Sequence, residues 1–158
     1  LTGNFTLIMA QANGKGNNFH NLFTYLRDYQ PQAVVVVDAD LRSITPGWPR
    51  SLAQPILEGY EFVAPMYSRN EYDGTITNHI CYPLLVGLLG KQLRQPIGGD
   101  FAFSGKLMEH WMTRKWGKSV RQYGVDIFMT VEALMGDFPV ERDVIHAPKP
   151  PRKHYLVQ

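Results

Sequence analysis

The stretch AVVVVDAD at residues 33–40 contains the strongest structural signal in the chain. Its first five residues are small or β-branched and apolar, which is typical of a strand buried on both faces in a parallel sheet. Asp38 and Asp40 follow where the apolar run ends. Ligands of open α/β sheets bind outside the carboxyl ends of strands, and two carboxylates at this spacing can share one divalent cation. The alternative interpretation is an ordinary Asx turn after a strand.

Apolar periodicity on both sides of this stretch predicts alternating strands and helices. We predict strands at 6–10, 33–37, 60–67, 101–103 and 140–145, and helices at 17–29, 46–59, 76–89, 106–116 and 126–135. The third helix should bend or break at Pro83, because proline lacks the N–H that a helix interior needs. The sequence therefore predicts an α/β domain over residues 1–147, followed by a Pro- and Lys-rich tail or lid at 148–158.

Composition narrows the function classes. The chain has 158 residues, 44% of them apolar and 19% charged, as expected for one soluble globular domain. The net charge of +2 and the scattered basic residues argue against a nucleic-acid partner. No apolar run reaches the ~18 residues that span a bilayer, so we expect no transmembrane segment. We also predict a cytoplasmic location, and a homodimer stays an open alternative. The chain begins with Leu1 rather than Met, and we expect the first strands of the fold to lie upstream.

The turn Asn13–Gly16 (NGKG) precedes the first predicted helix. Glycines let a backbone approach a ligand closely, and the N–H groups at a helix N-terminus favour anions. Lys15, between the two glycines, adds a positive charge. The turn is not a P-loop, because the spacing and the trailing Ser or Thr are absent. An ordinary turn with a solvated lysine is the alternative.

The order of these motifs resembles the nucleotide-binding half of the GT-A glycosyltransferases over about residues 6–149. The resemblance implies a Rossmann-like mixed sheet flanked by helices, incomplete at its N-terminus, and a UDP- or GDP-hexose donor. It places Gly14 and Lys15 near the nucleotide. It also implies that Asp38 meets the ribose or base side and that Asp40 ligates Mg²⁺ or Mn²⁺.

The middle of the chain is similar to glucosyl-3-phosphoglycerate synthases and mannosylglycerate synthase-like enzymes. The segments that carry this similarity are DGTIT at 73–77, YPLL at 82–85 and GGDFA at 98–102. The similarity implies that Thr75 and Thr77 bind the acceptor. The phosphoglycerate enzymes have an arginine at the position of Thr75 and a glutamate at that of Asn78, so we predict only a small hydroxylated acceptor.

Three further side chains complete the predicted site. The resemblance puts Asp100, in a glycine turn, beside the donor sugar, although a plain turn aspartate is the alternative. Asp126 begins a predicted helix, where it is either a helix cap, a general base as in inverting enzymes, or a group that orients the acceptor as in retaining ones. We favour retention, because the closer resemblance is to retaining enzymes. His146 follows the last predicted strand and is expected to complete the metal site, the alternative being a surface histidine.

Two other interpretations stay open. The stretch 33–40 also fits haloacid-dehalogenase-like phosphatases, in which Asp38 would attack phosphorus covalently. Arg42 stands where those enzymes usually have Thr or Val, and their motif normally lies on the first strand, whereas an earlier strand and helix precede it here. A non-catalytic fragment of a larger transferase is the third possibility. The sequence as a whole favours a metal-dependent hexosyltransferase.

Overall fold

A computed structural model of the chain describes residues 6–8, 12–39, 41, 44–66 and 74–142. Asp40, His146 and the predicted tail lie outside these residues. The strands are β1 (Ala33–Val36), β2 (Phe62–Ala64), β3 (Phe101–Ser104) and β4 (Val140–Arg142). The helices are α1 (Lys15–Leu26), α2 (Gly47–Leu57), α3 (Tyr82–Leu89), α4 (Gly105–Thr113), α5 (Lys118–Arg121) and α6 (Val125–Met135).

The four strands form one mixed sheet in the order β1-β3-β2-β4. Strand β3 runs antiparallel to both of its neighbours, and β2 is parallel to β4. Strands β1 and β2 are therefore parallel to each other, with β3 inserted between them. The mixed α/β sheet predicted from the sequence is confirmed.

The environment predicted for β1 was wrong. Its four residues are half-buried rather than buried on both faces, and its neighbour β3 is antiparallel. The physical reason is its position: within the described residues, β1 pairs with β3 alone and forms an edge of the sheet. A run of valines reports the tendency to be buried, but it carries no information about the direction of a neighbouring strand.

The pleat of the strands divides the core between the two faces of the sheet. On one face, Val63 and Ala102 pack against Trp48, Leu52 and Ile56 of α2. On the other face, Phe62, Phe101 and Phe103 pack against α1, α4 and α6. Each helix layer therefore covers one set of alternating strand residues, as in other α/β folds.

An aromatic cluster fixes the second face. The ring centroids of Phe23 and Phe103 are 5.4 Å apart, and Trp111 lies 5.7 Å from Phe23 and 5.1 Å from Phe103. All three side chains are fully buried. The indole N–H of Trp111 also donates to the carbonyl of Met129 in α6 at 3.0 Å. The cluster and this hydrogen bond therefore connect α1, β3, α4 and α6.

The helices agree with their predicted positions to within a few residues. The backbone stays helical across Pro83: a π-helical segment, Thr77–Cys81, leads into α3, and Pro83 lies in the first turn of α3. Residues 6–8 form no regular element, and the rest of the strand predicted at 6–10 lies outside the described residues. Helix α5, only four residues long, was not predicted. None of the helices in the described ranges is long and apolar enough to cross a bilayer.

Candidate functional site

Asp38 and Asp100 meet at the end of the sheet where β1 stops. Asp38 follows the carboxyl end of β1, and Asp100 immediately precedes β3. Because Val36 is paired with Phe101 in the antiparallel ladder, the two aspartates reach the same place. The backbone N–H of Asp38 donates to Oδ1 of Asp100 at 2.9 Å. Asp100 is only 1% exposed, so it lies beneath Asp38. Its predicted contact with a donor sugar stays a prediction.

Gly99 lies directly against the Asp38 carboxyl group. A Cβ atom built on Gly99 would lie 1.9 Å from the Cγ and both carboxylate oxygens of Asp38. At the neighbouring Gly98, the nearest atom to such a Cβ is the Asp100 carbonyl oxygen at 3.8 Å, an ordinary contact. Only a residue without a side chain can therefore occupy position 99 while Asp38 keeps this orientation.

Lys15 and Asp126 form an ion pair beside this end of the sheet. Their Nζ and Oδ2 atoms are 2.8 Å apart, and the side chains are 30% and 18% exposed, respectively. Burial raises the pKa of Asp126, the Lys15 ammonium opposes that shift, and the Asp38 charge adds to it. The second oxygen of Asp126, Oδ1, is buried and has no hydrogen-bond partner among the described residues. Asp126 is thus an acidic group with an acceptor available for a ligand.

The NGKG turn is shaped by contacts with the chain's own backbone. Gly14 has a φ of +122°, and a Cβ there would lie 2.6 Å from the carbonyl oxygen of Arg121. At Gly16 the same test gives 1.9 Å to the carbonyl oxygen of Val120, and the Gly16 N–H donates to the Gln122 carbonyl at 2.8 Å. Both glycines let the start of α1 approach the last residues of α5 closely. That approach brings the intervening lysine to Asp126, whereas a contact of the turn with a nucleotide stays a prediction.

A cleft opens between Asp126 and the segment before β3. It is lined by residues from β2, the 95–101 segment and α6: Phe62, Ala64, Pro65, Gln95, Pro96, Gly98, Asp100, Phe101, Asp126, Met129 and Thr130. Gln95 Oε1 is buried and, like Asp126 Oδ1, lacks a partner within the described ranges. The free volume of the cleft is about 10 Å³, room for about one water molecule, so the two acceptors can bind one water or a single inserted hydroxyl group.

Gln95 and Thr130 were missed by sequence reasoning. Gln95 lies in an irregular segment just ahead of the glycine turn, and Thr130 lies within an otherwise apolar helical pattern. A polar residue at each position was a weak signal, because the cleft exists only once β3 and α6 are packed together.

The other residues predicted for the site either do not line the cleft or lie outside the described residues. Thr75 is exposed and Thr77 is 4% exposed; both lie on the helical segment before α3 and do not line the cleft. The predicted metal ligands Asp40 and His146 lie outside the described residues. Within those residues there is no group of three or more acidic, His or Cys side chains that could hold a metal ion. Asp38, two positions before the predicted ligand Asp40 in the sequence, offers the oxygen chemistry that Mg²⁺ and Mn²⁺ prefer, but it does not complete a site.

Comparisons with known proteins identify the fold. No family model matches the chain, and no curated protein matches it significantly. Among solved structures, a glucosyl-3-phosphoglycerate synthase from Mycobacterium tuberculosis matches 92% of this chain with a TM-score of 0.69 at 24% identity. The chain has a GT-A glycosyltransferase fold. A further structure of that enzyme is 26% identical over 89% of the chain, with a TM-score of 0.67, and a mycobacterial protein is 28% identical over 92%, with a TM-score of 0.67.

The matching GT-A structures are longer than this chain. It covers 48% of each of the two synthase chains and 46% of the mycobacterial protein. The first synthase structure contains Mn²⁺, uridine diphosphate and phosphoglyceric acid, and the second contains Mn²⁺, UDP-glucose and phosphoglyceric acid. The chain thus spans about half the length of the structures it matches.

Proposed function

We propose that the chain is the donor-binding part of a metal-dependent glycosyltransferase that moves a hexose from a nucleotide-diphosphate sugar to a small hydroxylated acceptor. One observation carries the proposal. Lys15, Asp38, Asp100 and Asp126 converge at the carboxyl end of β1, where open α/β sheets bind ligands. They do so in a fold whose solved examples hold UDP-glucose and Mn²⁺.

Each described side chain has a distinct part in this proposal. Asp38 accepts hydrogen bonds from the nucleotide, and Asp126 offers its unpartnered Oδ1 to a hydroxyl of the sugar or the acceptor. Lys15 keeps Asp126 oriented through its 2.8 Å contact and adds positive charge near a diphosphate. Asp40 and His146 would hold Mg²⁺ or Mn²⁺. When bound, such an ion neutralises the charge on the diphosphate leaving group.

The acceptor and the stereochemistry form the finer part of the proposal. We assign the acceptor to the side of Thr75 and Thr77, where a hydroxylated molecule suits two hydroxyl side chains. An arginine is absent from position 75, so a phosphate on the acceptor is not part of the proposal. Retention of configuration is supported by the pairing of Asp126 with Lys15, which suits an orienting group better than a free general base.

The phosphatase interpretation has less support. Strand β3 lies antiparallel between β1 and β2, whereas a doubly wound phosphatase core places parallel strands beside its nucleophile-bearing strand. The Asp38 side chain is also held against Gly99. The non-catalytic alternative differs from the proposed enzyme in one measurable result: it predicts that the chain binds a nucleotide but does not transfer a sugar.

Calorimetric titration of UDP and GDP, with Mn²⁺ and with chelator, tests the proposal. We expect metal-dependent binding of one nucleotide, lost in Asp40→Ala and weakened about tenfold in Asp38→Ala. Asp28→Ala is the matched control, because Asp28 is exposed and lies on the turn leading toward the amino end of β1. A folded wild type that binds neither nucleotide would contradict the proposal, as would equal losses in the Asp28 and Asp38 variants.

Incubation with the matching nucleotide sugar and candidate polyols separates an enzyme from a binding fragment. Transfer of the hexose, detected by mass spectrometry, supports catalysis, and the anomeric proton coupling of the product gives the stereochemistry. Binding without any transfer or donor hydrolysis would support the non-catalytic alternative. Release of inorganic phosphate from a phosphomonoester, lost in Asp38→Ala, would support the phosphatase.

A further inference from the structure

We infer that Gly99 and Asp100 act as positioning residues that fix Asp38 in its ligand-binding orientation. This inference deepens the proposed function, since it takes Asp38 to be a nucleotide-binding residue. It gives Asp100 a role different from direct reading of the donor sugar. Gly99 and Asp100 together form what we call the Asp38 clamp.

The first half of the clamp is the hydrogen bond from the Asp38 N–H to Asp100 Oδ1, 2.9 Å long. A carboxylate that accepts from a backbone N–H makes a charge-assisted bond, which is stronger than a neutral one. Asp100 is 1% exposed, so water does not compete for this bond. Since the accepting oxygen belongs to the residue immediately before β3, the turn after β1 is anchored to the neighbouring strand.

The second half of the clamp is steric. The Asp38 carboxyl group occupies the space that a side chain at position 99 would need, with a distance of 1.9 Å to a Cβ built there. The bond to Asp100 fixes the backbone of Asp38, and the bare face of Gly99 receives its side chain. Together, the Asp100 hydrogen bond and the Gly99 contact hold the Asp38 carboxyl group in one position, at the end of the sheet near Asp126.

The pairing of the strands explains why the clamp forms here. Val36 pairs with Phe101, so the residues after β1 must pass those before β3. Asp38 and the 99–100 pair are therefore brought together by the sheet itself, although 62 positions separate Asp38 from Asp100 in the chain. An alanine at position 99 would act on Asp38 while removing no polar group.

Two glycines supply a matched test. Gly99→Ala is expected to weaken UDP binding in the presence of Mn²⁺ by roughly tenfold, as Asp38→Ala does, because the carboxyl group must move. Gly87→Ala, in α3 and away from the cleft, should leave affinity unchanged, since no atom lies within 4 Å of its added Cβ. Thermal unfolding shows whether each variant is folded. Equal affinities for the two alanine variants, both folded, would overturn the steric half of the clamp.

The role of Asp100 is tested by comparing UDP with the UDP-sugar. A positioning residue affects both ligands, so Asp100→Ala should weaken UDP itself by about tenfold, and Asp100→Asn, which keeps an acceptor oxygen, should restore most of that loss. In the double variant with Asp38→Ala, the two losses should not add. A defect confined to the UDP-sugar would overturn the inference and make Asp100 a sugar-binding residue.

A ligand-free measurement separates this inference from the proposed function. If the wild type binds no nucleotide, the proposed function fails, but the clamp can still be measured by amide hydrogen exchange. The Asp38 N–H should be protected in the wild type and Gly87→Ala, and should exchange at least tenfold faster in Asp100→Ala. Unchanged protection of Asp38 in a folded Asp100→Ala variant would overturn the clamp, whatever the nucleotide result.

Discussion

The two ends of the sheet use polar residues in opposite ways. At the end that carries Asp38 and Asp126, a buried acceptor oxygen has no partner among the described residues, and burial raises the pKa of Asp126. At the other end, Ser104 closes β3 and caps α4 by accepting from the Leu107 N–H at 3.0 Å. The Ser104 hydroxyl also contacts the Glu61 carboxylate. Oε1 of Glu61 accepts a hydrogen bond from Lys106 Nζ at 3.1 Å.

This difference separates structural from functional polarity. The Ser104 end satisfies its polar groups internally, which stabilises a helix start and a strand end. The Asp38 end leaves hydrogen-bonding capacity unused, which costs stability unless a ligand supplies the missing partner. Substitutions at the Ser104 end should therefore lower stability and spare binding, and those at the Asp38 end should do the reverse.

The largest loss of stability is expected for Gly105→Ala. A Cβ there would lie 2.3 Å from the carbonyl oxygen of Pro31, so the start of α4 must shift, at a cost of about 2–3 kcal/mol. Gly87→Ala in α3 is the control, because no atom lies within 4 Å of its added Cβ and alanine favours a helix by ~1 kcal/mol. Urea unfolding measures both, and UDP affinity should stay unchanged. A Gly105 variant as stable as the wild type would contradict this account.

Ser104→Ala should have the next largest effect. It removes the cap of α4 and a contact with Glu61, which should lower the free energy of unfolding by about 1–2 kcal/mol. Ser104→Thr keeps the hydroxyl and should recover part of the loss. The contrast between the two ends of the sheet would be contradicted if Ser104→Ala weakened UDP binding as strongly as Asp38→Ala while the protein stayed folded.

Asp126→Asn should change how stability depends on pH. The folded-state pKa of Asp126 is raised, mainly by burial, so its contribution to stability is fully present below the unfolded pKa of about 3.9 and is lost as pH rises through the folded value. The variant should therefore lack this decline, with a difference that grows as the pH rises above about 4.

Denaturant midpoints across that pH range measure the effect, with Asp28→Asn, at an exposed position, as the control. Parallel pH profiles for the wild type and Asp126→Asn would show that burial does not disfavour the charged form. Nucleotide-sugar affinity should fall in the same variant, because Asp126 lines the cleft.

Arg27→Ala should have the smallest effect. Its Nε lies 3.1 Å from Glu109, but the side chains are 53% and 46% exposed, and exposed pairs contribute less than about 1 kcal/mol. Urea unfolding should barely distinguish the variant from the wild type. A loss as large as that for Ser104→Ala would mean that this surface pair is coupled to the core.

The sequence predicted the elements better than their arrangement. Apolar periodicity located α1, α2 and β3, because it reflects which face of each element is buried. It could not show that β3 enters antiparallel beside β1, since strand direction depends on connections and on pairing between distant residues. The prediction of a doubly buried β1 was wrong because, within the described residues, β1 pairs with β3 alone at the edge of the sheet, a position that periodicity does not encode.

The candidate site was predicted in its residues but not in its contacts. Lys15, Asp38, Asp100 and Asp126 were each singled out from short motifs. Their pairing was not foreseen, because 111 positions separate Lys15 from Asp126 and the fold alone brings them together. The glycines show the same limit: the position of Gly14 near a nucleotide stays a prediction, and the packing of Gly14 and Gly16 against the chain's own backbone was not foreseen.

Backbone amide NMR of the chain, titrated with UDP and Mg²⁺, tests the central claim most directly. The account predicts that the resonances of Asp38, Gly99 and Asp126 shift with saturation, while those of Ser104 and Leu107 at the opposite end of the sheet stay in place. Titration with Mg²⁺ alone is the control for the metal. Shifts centred on Ser104 and Leu107, or a folded protein whose spectrum UDP does not alter, would contradict the account.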